Sequence, residues 1–151
     1  MTNHTYTHSH PLRLTIFGQP RTKSNIRSSV WSKKSKRVIQ FKDPEVAAYE
    51  LGIAGQARQQ LEKLGHTDRD IPVFLGPVVA SFRFYFQRRP TNSDVANYFK
   101  SAADALNGIV WLDDKLIVRI HGEKFHDKLR PRIEVEVWEF EEVSDENPEA
   151  D

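Results

Sequence analysis

The chain has no cysteine in its 151 residues, which excludes disulfides, thiolate zinc sites and cysteine nucleophiles. A chain without disulfides fits a cytoplasmic location. It also lacks any apolar run near the roughly 20 residues needed to cross a bilayer, so no membrane partner is expected. Met1–His10 is polar and does not read as a signal peptide. Net charge is nearly absent as well, at +1 with neutral histidines. That balance is uneven along the chain. From Glu139 to Asp151 there are seven acids and no Lys or Arg, and leaving them out raises the net charge from +1 to +8. Between Pro20 and Lys42 there are eight bases and no acid (Arg21, Lys23, Arg27, Lys33, Lys34, Lys36, Arg37 and Lys42). Such a block beside a globular body favours an anionic partner, nucleic acid above all. A solvated loop without a ligand is the plain alternative.

The length suits one domain with a core of its own. Residues 1–10 read as a disordered tail, 11–140 as the domain, and 141–151 as an acidic disordered tail. Leu12–Phe17 alternates and is rich in strand formers. The basic stretch 20–37 has no sustained period and reads as a long loop, with Trp31 inside it and Val38–Phe41 as a short strand after it. Asp43 and Pro44 start a helix expected to reach about Leu64, where Gly65 stops it; Gly52 and Gly55 weaken it. Val78–Gln87 is a strong strand, with Phe82, Phe84 and Phe86 on one face and Arg83 and Tyr85 on the other. Arg88-Arg89-Pro90 ends it. A second helix spans about Asp94 to Leu106 and closes at Asn107-Gly108. Strands follow over Leu116–Ile120, with an extension to Phe125 open, and over Pro131–Phe140, where Ile133, Val135 and Val137 alternate with Glu134, Glu136 and Trp138. The pattern predicts an α+β fold, a small mixed β-sheet with helices packed mainly on one face.

The second helix carries the functional argument. At about 100° per residue, Val95, Tyr98, Phe99, Ala102, Ala105 and Leu106 share one broad face, and Asn97, Lys100 and Asp104 gather within about 60° on the other. Asp94 stands at the N-terminus. An ordinary amphipathic helix with an N-capping Asp94 would look the same. Asp113-Asp114 follows by a short turn, and the packing of helix against strand brings Asp114 toward either the Asp94 end or the Lys100 face. Converging carboxylates repel unless a cation sits between them, and Mg²⁺ takes oxygen ligands of this kind. A nearby lysine is suited to phosphate charge. A polar turn without a metal is the alternative for the acidic pair.

The segment from Ser93 to Asp114 resembles the core of the RusA family of Holliday-junction resolvases. Asp94, Asn97, Lys100, Asp104, Ala105, Leu106, Asn107, Gly108, Asp113 and Asp114 follow that family's pattern in order and approximate spacing. Gly18 and Pro20, followed by Arg21 and Lys23, agree with it more loosely. The resemblance implies a RusA-like fold and a homodimer, bacterial or phage-encoded, that binds four-way junction DNA and cuts it with Mg²⁺. A twofold protein suits a junction of near-twofold symmetry. The family's metal ligands fall on Asp94, position 96 and Asp114, and its essential lysine on Lys100. Asn97, Asp104 and Asp113 then hold the helix, the turn and the surroundings of the ligands. Arg21, Lys23, Arg27, Lys33, Lys34, Lys36 and Arg37, joined by Arg88 and Arg89, are the expected DNA contacts, mostly to phosphates.

The departure is Ala96, a methyl where an aspartate ligand is expected. Three origins fit: a deliberate replacement that traps an inactive enzyme, which is the preferred reading; a natural variant whose missing ligand is supplied by another acid or by water; and a natural inactive paralogue that only binds junctions. The competing functions are a non-catalytic module for branched DNA and an unrelated metal-dependent phosphoesterase. His4, His8 and His10 lie in the expected tail and are assigned no role.

Overall fold

Alternating apolar residues on three strands build one buried sheet face. Leu12, Leu14 and Ile16 of β1 (Leu12–Phe17) stand opposite Val137, Val135 and Ile133 of the last strand, and these stand opposite Ala80, Phe82 and Phe84 of β4 (Val78–Phe86). All nine are almost fully buried. The computed structural model describes residues 5–22, 28–32, 37–41, 44–90 and 94–142, of which 28–32 and 37–41 are described by backbone alone. The element order is β1, β2 (Ser28–Ser32), β3 (Arg37–Phe41), α1 (Pro44–Lys63), β4, α2 (Val95–Ala105), a 3-10 turn (Asp114–Leu116), β5 (Ile117–His126) and β6 (Arg132–Glu139). The main sheet runs β1-β6-β4-β5, antiparallel except for β4 beside β5. That parallel pair needs a crossover, and α2 supplies it. Both helices contact the sheet and each other, so the expected α+β fold with a mixed sheet is borne out.

The helix pattern follows from burial and caps. In α1, Val46, Ile53, Ala57 and Leu61 face the core. Its end is a Schellman turn: His66 N donates to Leu61 O (2.9 Å) and Gly65 N to Glu62 O (3.1 Å), with Gly65 at φ 99°. That left-handed conformation favours glycine. Gly52 and Gly55 do not interrupt the helix. The expected capping Asp43 lies outside the described residues. On α2, Tyr98, Ser101, Ala102, Ala103 and Ala105 are buried, and Phe99 meets Phe82 edge-on at 5.0 Å. Trp111 is fully buried, with its indole N–H donated to Asn107 Oδ1 at 2.9 Å.

Two expectations are corrected. The stretch 20–37 is not simply a loop, because it holds β2, which pairs antiparallel with β3, the short strand expected at Val38–Phe41, with Val30 opposite Ile39 and Trp31 opposite Val38. Serines and lysines around a few apolar residues hid that pairing, and no Gly or Asn marks the turn. The N-terminal segment is no simple tail either. Tyr6 O accepts from Glu139 N at 3.0 Å, its hydroxyl lies 2.6 Å from His66 Nε2, and its ring packs on Phe74. An aromatic residue with a hydrogen-bonding tip fastens this segment to the body.

Candidate active site

Two elements, α2 and the 3-10 turn, position the acids and the lysine. Asp94 is the N-cap of α2, with extended backbone and its Oδ1 accepting from Ala96 N at 3.0 Å. This satisfies one of the free N–H groups of the first turn. Two turns on, Lys100 points outward and reaches Asp104 of its own helix at 3.8 Å and Asp114 at 3.7 Å. Asp113 caps the 3-10 turn, its Oδ1 accepting from Lys115 N at 2.9 Å. That cap swings Asp114 back toward α2. The turn therefore settles the question left open by the sequence: Asp114 goes to the Lys100 face.

The two neighbouring acids behave differently. Asp113 is held below the usual carboxylate range, chiefly by the hydrogen bond from Lys115 N and then by one from Asp114. Asp114 is pushed up, first by burial, then by its hydrogen bond with Asp113 and the charge of Asp104; Lys100 opposes the rise. Of two carboxyl groups sharing a site, one keeps its charge and the other holds the proton more readily.

Lys100, Asp104, Asp113 and Asp114 therefore come together. Asp94 stands six residues before Lys100, about 9 Å of helical rise away, and Asn97 and Ala96 are exposed between them. Among the described residues, no three acid or histidine side chains are close enough to hold a metal ion. The donors present are all carboxylate oxygens, which suit a hard divalent cation in type; Ala96 offers none. Arg88 and Arg89 are exposed after β4, and Gln87 N donates to Gln19 Oε1 at 2.8 Å, which ties the root of the basic stretch to the same end of the sheet. Arg21 pairs with Glu45 at 3.1 Å. Lys23, Arg27, Lys33, Lys34 and Lys36 lie outside the described residues; Arg37 opens β3, and its side chain lies outside the description. The strand expected from Leu116 is β5, and it carries Val118, Arg119, Ile120 and Glu123 on an exposed edge; its terminal place in the sheet was not assigned from the sequence.

The α+β sheet thus carries a crossover helix whose Lys100 meets an acid of the capped turn that follows it. The profile of the family described as Endodeoxyribonuclease RusA matches residues 18–138, and the chain belongs to that family. It is also 27% identical over 137 residues to the uncharacterized protein YqaN of Bacillus subtilis (strain 168), a match covering 85% of this chain and 96% of YqaN. No helix among the described residues is long and apolar enough to cross a membrane.

Proposed function

We propose that this protein is a structure-selective endonuclease, acting as a homodimer on four-way DNA junctions through metal-dependent phosphodiester hydrolysis, with Ala96 removing or weakening that activity. The observation that carries the reading is the meeting of Lys100 with Asp114 across the joint between α2 and the 3-10 turn, in a chain whose family is that of endodeoxyribonucleases. Asp94 and Asp114 would hold the metal, with Mg²⁺ the expected ion. When bound, it would polarise the scissile phosphate and lower the pKa of a water. Lys100 stabilises charge developing on the phosphate, and Asp104 keeps its ammonium oriented. Asp113 fixes the turn that aims Asp114.

The single domain is proposed to span 11–140, with DNA held by Arg21, Arg88, Arg89 and the basic hairpin segment. Contacts of this kind go mainly to phosphates, so affinity should fall steeply with salt. Ala96 is the specific observation that favours a second reading, a branched-DNA-binding protein without catalysis.

The test is a synthetic four-way junction offered to the protein and to its Ala96→Asp variant, with and without Mg²⁺. Junction-selective binding by both, with Mg²⁺-dependent cutting by the variant alone, is the expected result. Binding by both with cutting by neither supports the second reading. No preference for the junction over duplex DNA would overturn both.

A further inference from the structure

The main sheet has two edges, β1 and β5. At β5 the sheet ends, and among the described residues no strand pairs with its outer side. The strand is ten residues long, about 33 Å of backbone edge. Val118 and Ile120 are about half exposed on it, and Arg119, His121 and Glu123 are exposed as well. A long edge bearing apolar side chains is a template for another strand, and natural sheets rarely leave one unguarded. This one has no proline and no bulge along its centre; its one register shift lies at the start, beside Val78 and Val79.

We infer that β5 is the interface between two copies of this chain, joined antiparallel about a twofold axis at His121 to form one continuous sheet. The register follows from charge. In such a pairing each residue faces one on the same side of the sheet. With His121 on the axis, Arg119 faces Glu123 of the second copy and Glu123 faces Arg119, giving two opposite-charge pairs. Ile120 faces Gly122, whose missing side chain is where Val95 of α2 packs: a Cβ built on Gly122 would stand 3.1 Å from Val95 Cγ2. An axis at Arg119 or at Glu123 sets like charges against each other, and an axis at Ile120 or Gly122 forms no Arg–Glu pair. The edge itself carries this inference, which gives the homodimer proposed above its contact surface. It sets both copies of α2 on the same side of the joined sheet.

The absence of cysteine makes the test direct. His121→Cys supplies a lone thiol. Cross-strand partners stand about 4.5–5.5 Å apart at Cα, within disulfide range. Diamide should then take up the two thiol hydrogens and leave a disulfide-linked dimer on a non-reducing gel. Lys128→Cys, seven residues farther along and about 20 Å or more from the axis, should give none. Arg119→Glu and Glu123→Arg each replace two attractions with two repulsions, so each should raise the dimer dissociation constant by at least about tenfold in sedimentation. The double variant should restore it. A dimer indifferent to both charge variants overturns the β5 interface and leaves the homodimer standing. Failure of the double variant to recover, or a Lys128→Cys crosslink as strong as that at 121, overturns the register. A wild-type chain that stays monomeric at all concentrations overturns both the interface and the homodimer.

Discussion

The two edges of the sheet meet water in opposite ways. Along β1 the outward peptide groups are occupied by side chains of α1. Gln60 accepts from Thr15 N (2.9 Å) and donates to Thr15 O (2.7 Å), and Gln56 does the same for Phe17 N (2.8 Å) and O (3.0 Å). Each carboxamide thus imitates the peptide of a neighbouring strand. The fit is geometric: four helical residues rise about 6 Å, close to the roughly 6.6 Å covered by two residues of a strand. Glutamines spaced by four therefore match alternate residues of β1. Among the described residues, no glutamine pair of this kind lies along β5. An edge blocked by amides cannot take up another chain, so the β5 interface inferred above falls on the side without such amides.

The sharpest way to break this contrast is to open the closed edge. Gln56→Ala with Gln60→Ala removes four hydrogen bonds to part-buried or exposed backbone, and should cost about 2–4 kcal/mol in urea unfolding. The opened edge should also give new, concentration-dependent association in light scattering. Gly122→Val tests the other edge. Its Cβ would crowd Val95 at 3.1 Å, the added methyls would press on the first turn of α2, and about 1–3 kcal/mol should be lost. A smaller loss, about 1 kcal/mol, is expected for Asp94→Ala through the missing cap. Asp94→Ser keeps a capping oxygen and should restore most of that stability. In the Ala96→Asp background, cutting that stays absent with Asp94→Ser would assign the carboxylate to the chemistry rather than to the helix.

How far the residues announced this arrangement depends on the kind of interaction. Phe82, Phe84, Phe86, Ile133, Val135 and Val137 were legible because strand alternation and burial coincide. The amphipathic face of α2 and the stop at Gly65 were legible for the same local reason. The placement of Asp114 beside Lys100 was half legible: the Asp94 end and the Lys100 face of the helix were both open to it, and the Asp113 cap chooses the second. The glutamine clamp was not legible. Gln56 and Gln60 look like ordinary helix-surface residues, and their partners are 39 and 45 positions away. Of the β2–β3 pair, Val38–Phe41 was legible as a short strand, whereas β2 escaped because three of its five residues are serines, which carry little strand preference. The open edge escaped because β5 is parallel to β4, and its terminal place in the sheet is set by the crossover through α2 rather than by its own residues.

The smallest expected effect concerns the foot of the open edge, where Asp114 precedes β5. Its carboxyl is pushed up in the folded protein, chiefly by burial, so the folded state binds that proton more tightly than the unfolded chain does. Stability contributed by the protonated group is fully present below the unfolded value and is lost as pH rises through the folded one. Asp113 works in the other direction. Held low by Lys115 N, it contributes stability above its unfolded value and loses it as pH falls through the folded one. Asp114→Asn removes the first effect and relieves the charge facing Asp104 and Asp113. The variant should therefore unfold at higher urea than the parent near pH 7, with the gap closing as acid protonates Asp114 in the parent. In the Ala96→Asp background it should cut no junction. A variant less stable than its parent at neutral pH would show that Lys100 pairing outweighs burial at Asp114, and would make this corner a structural ion pair first and a reaction site second.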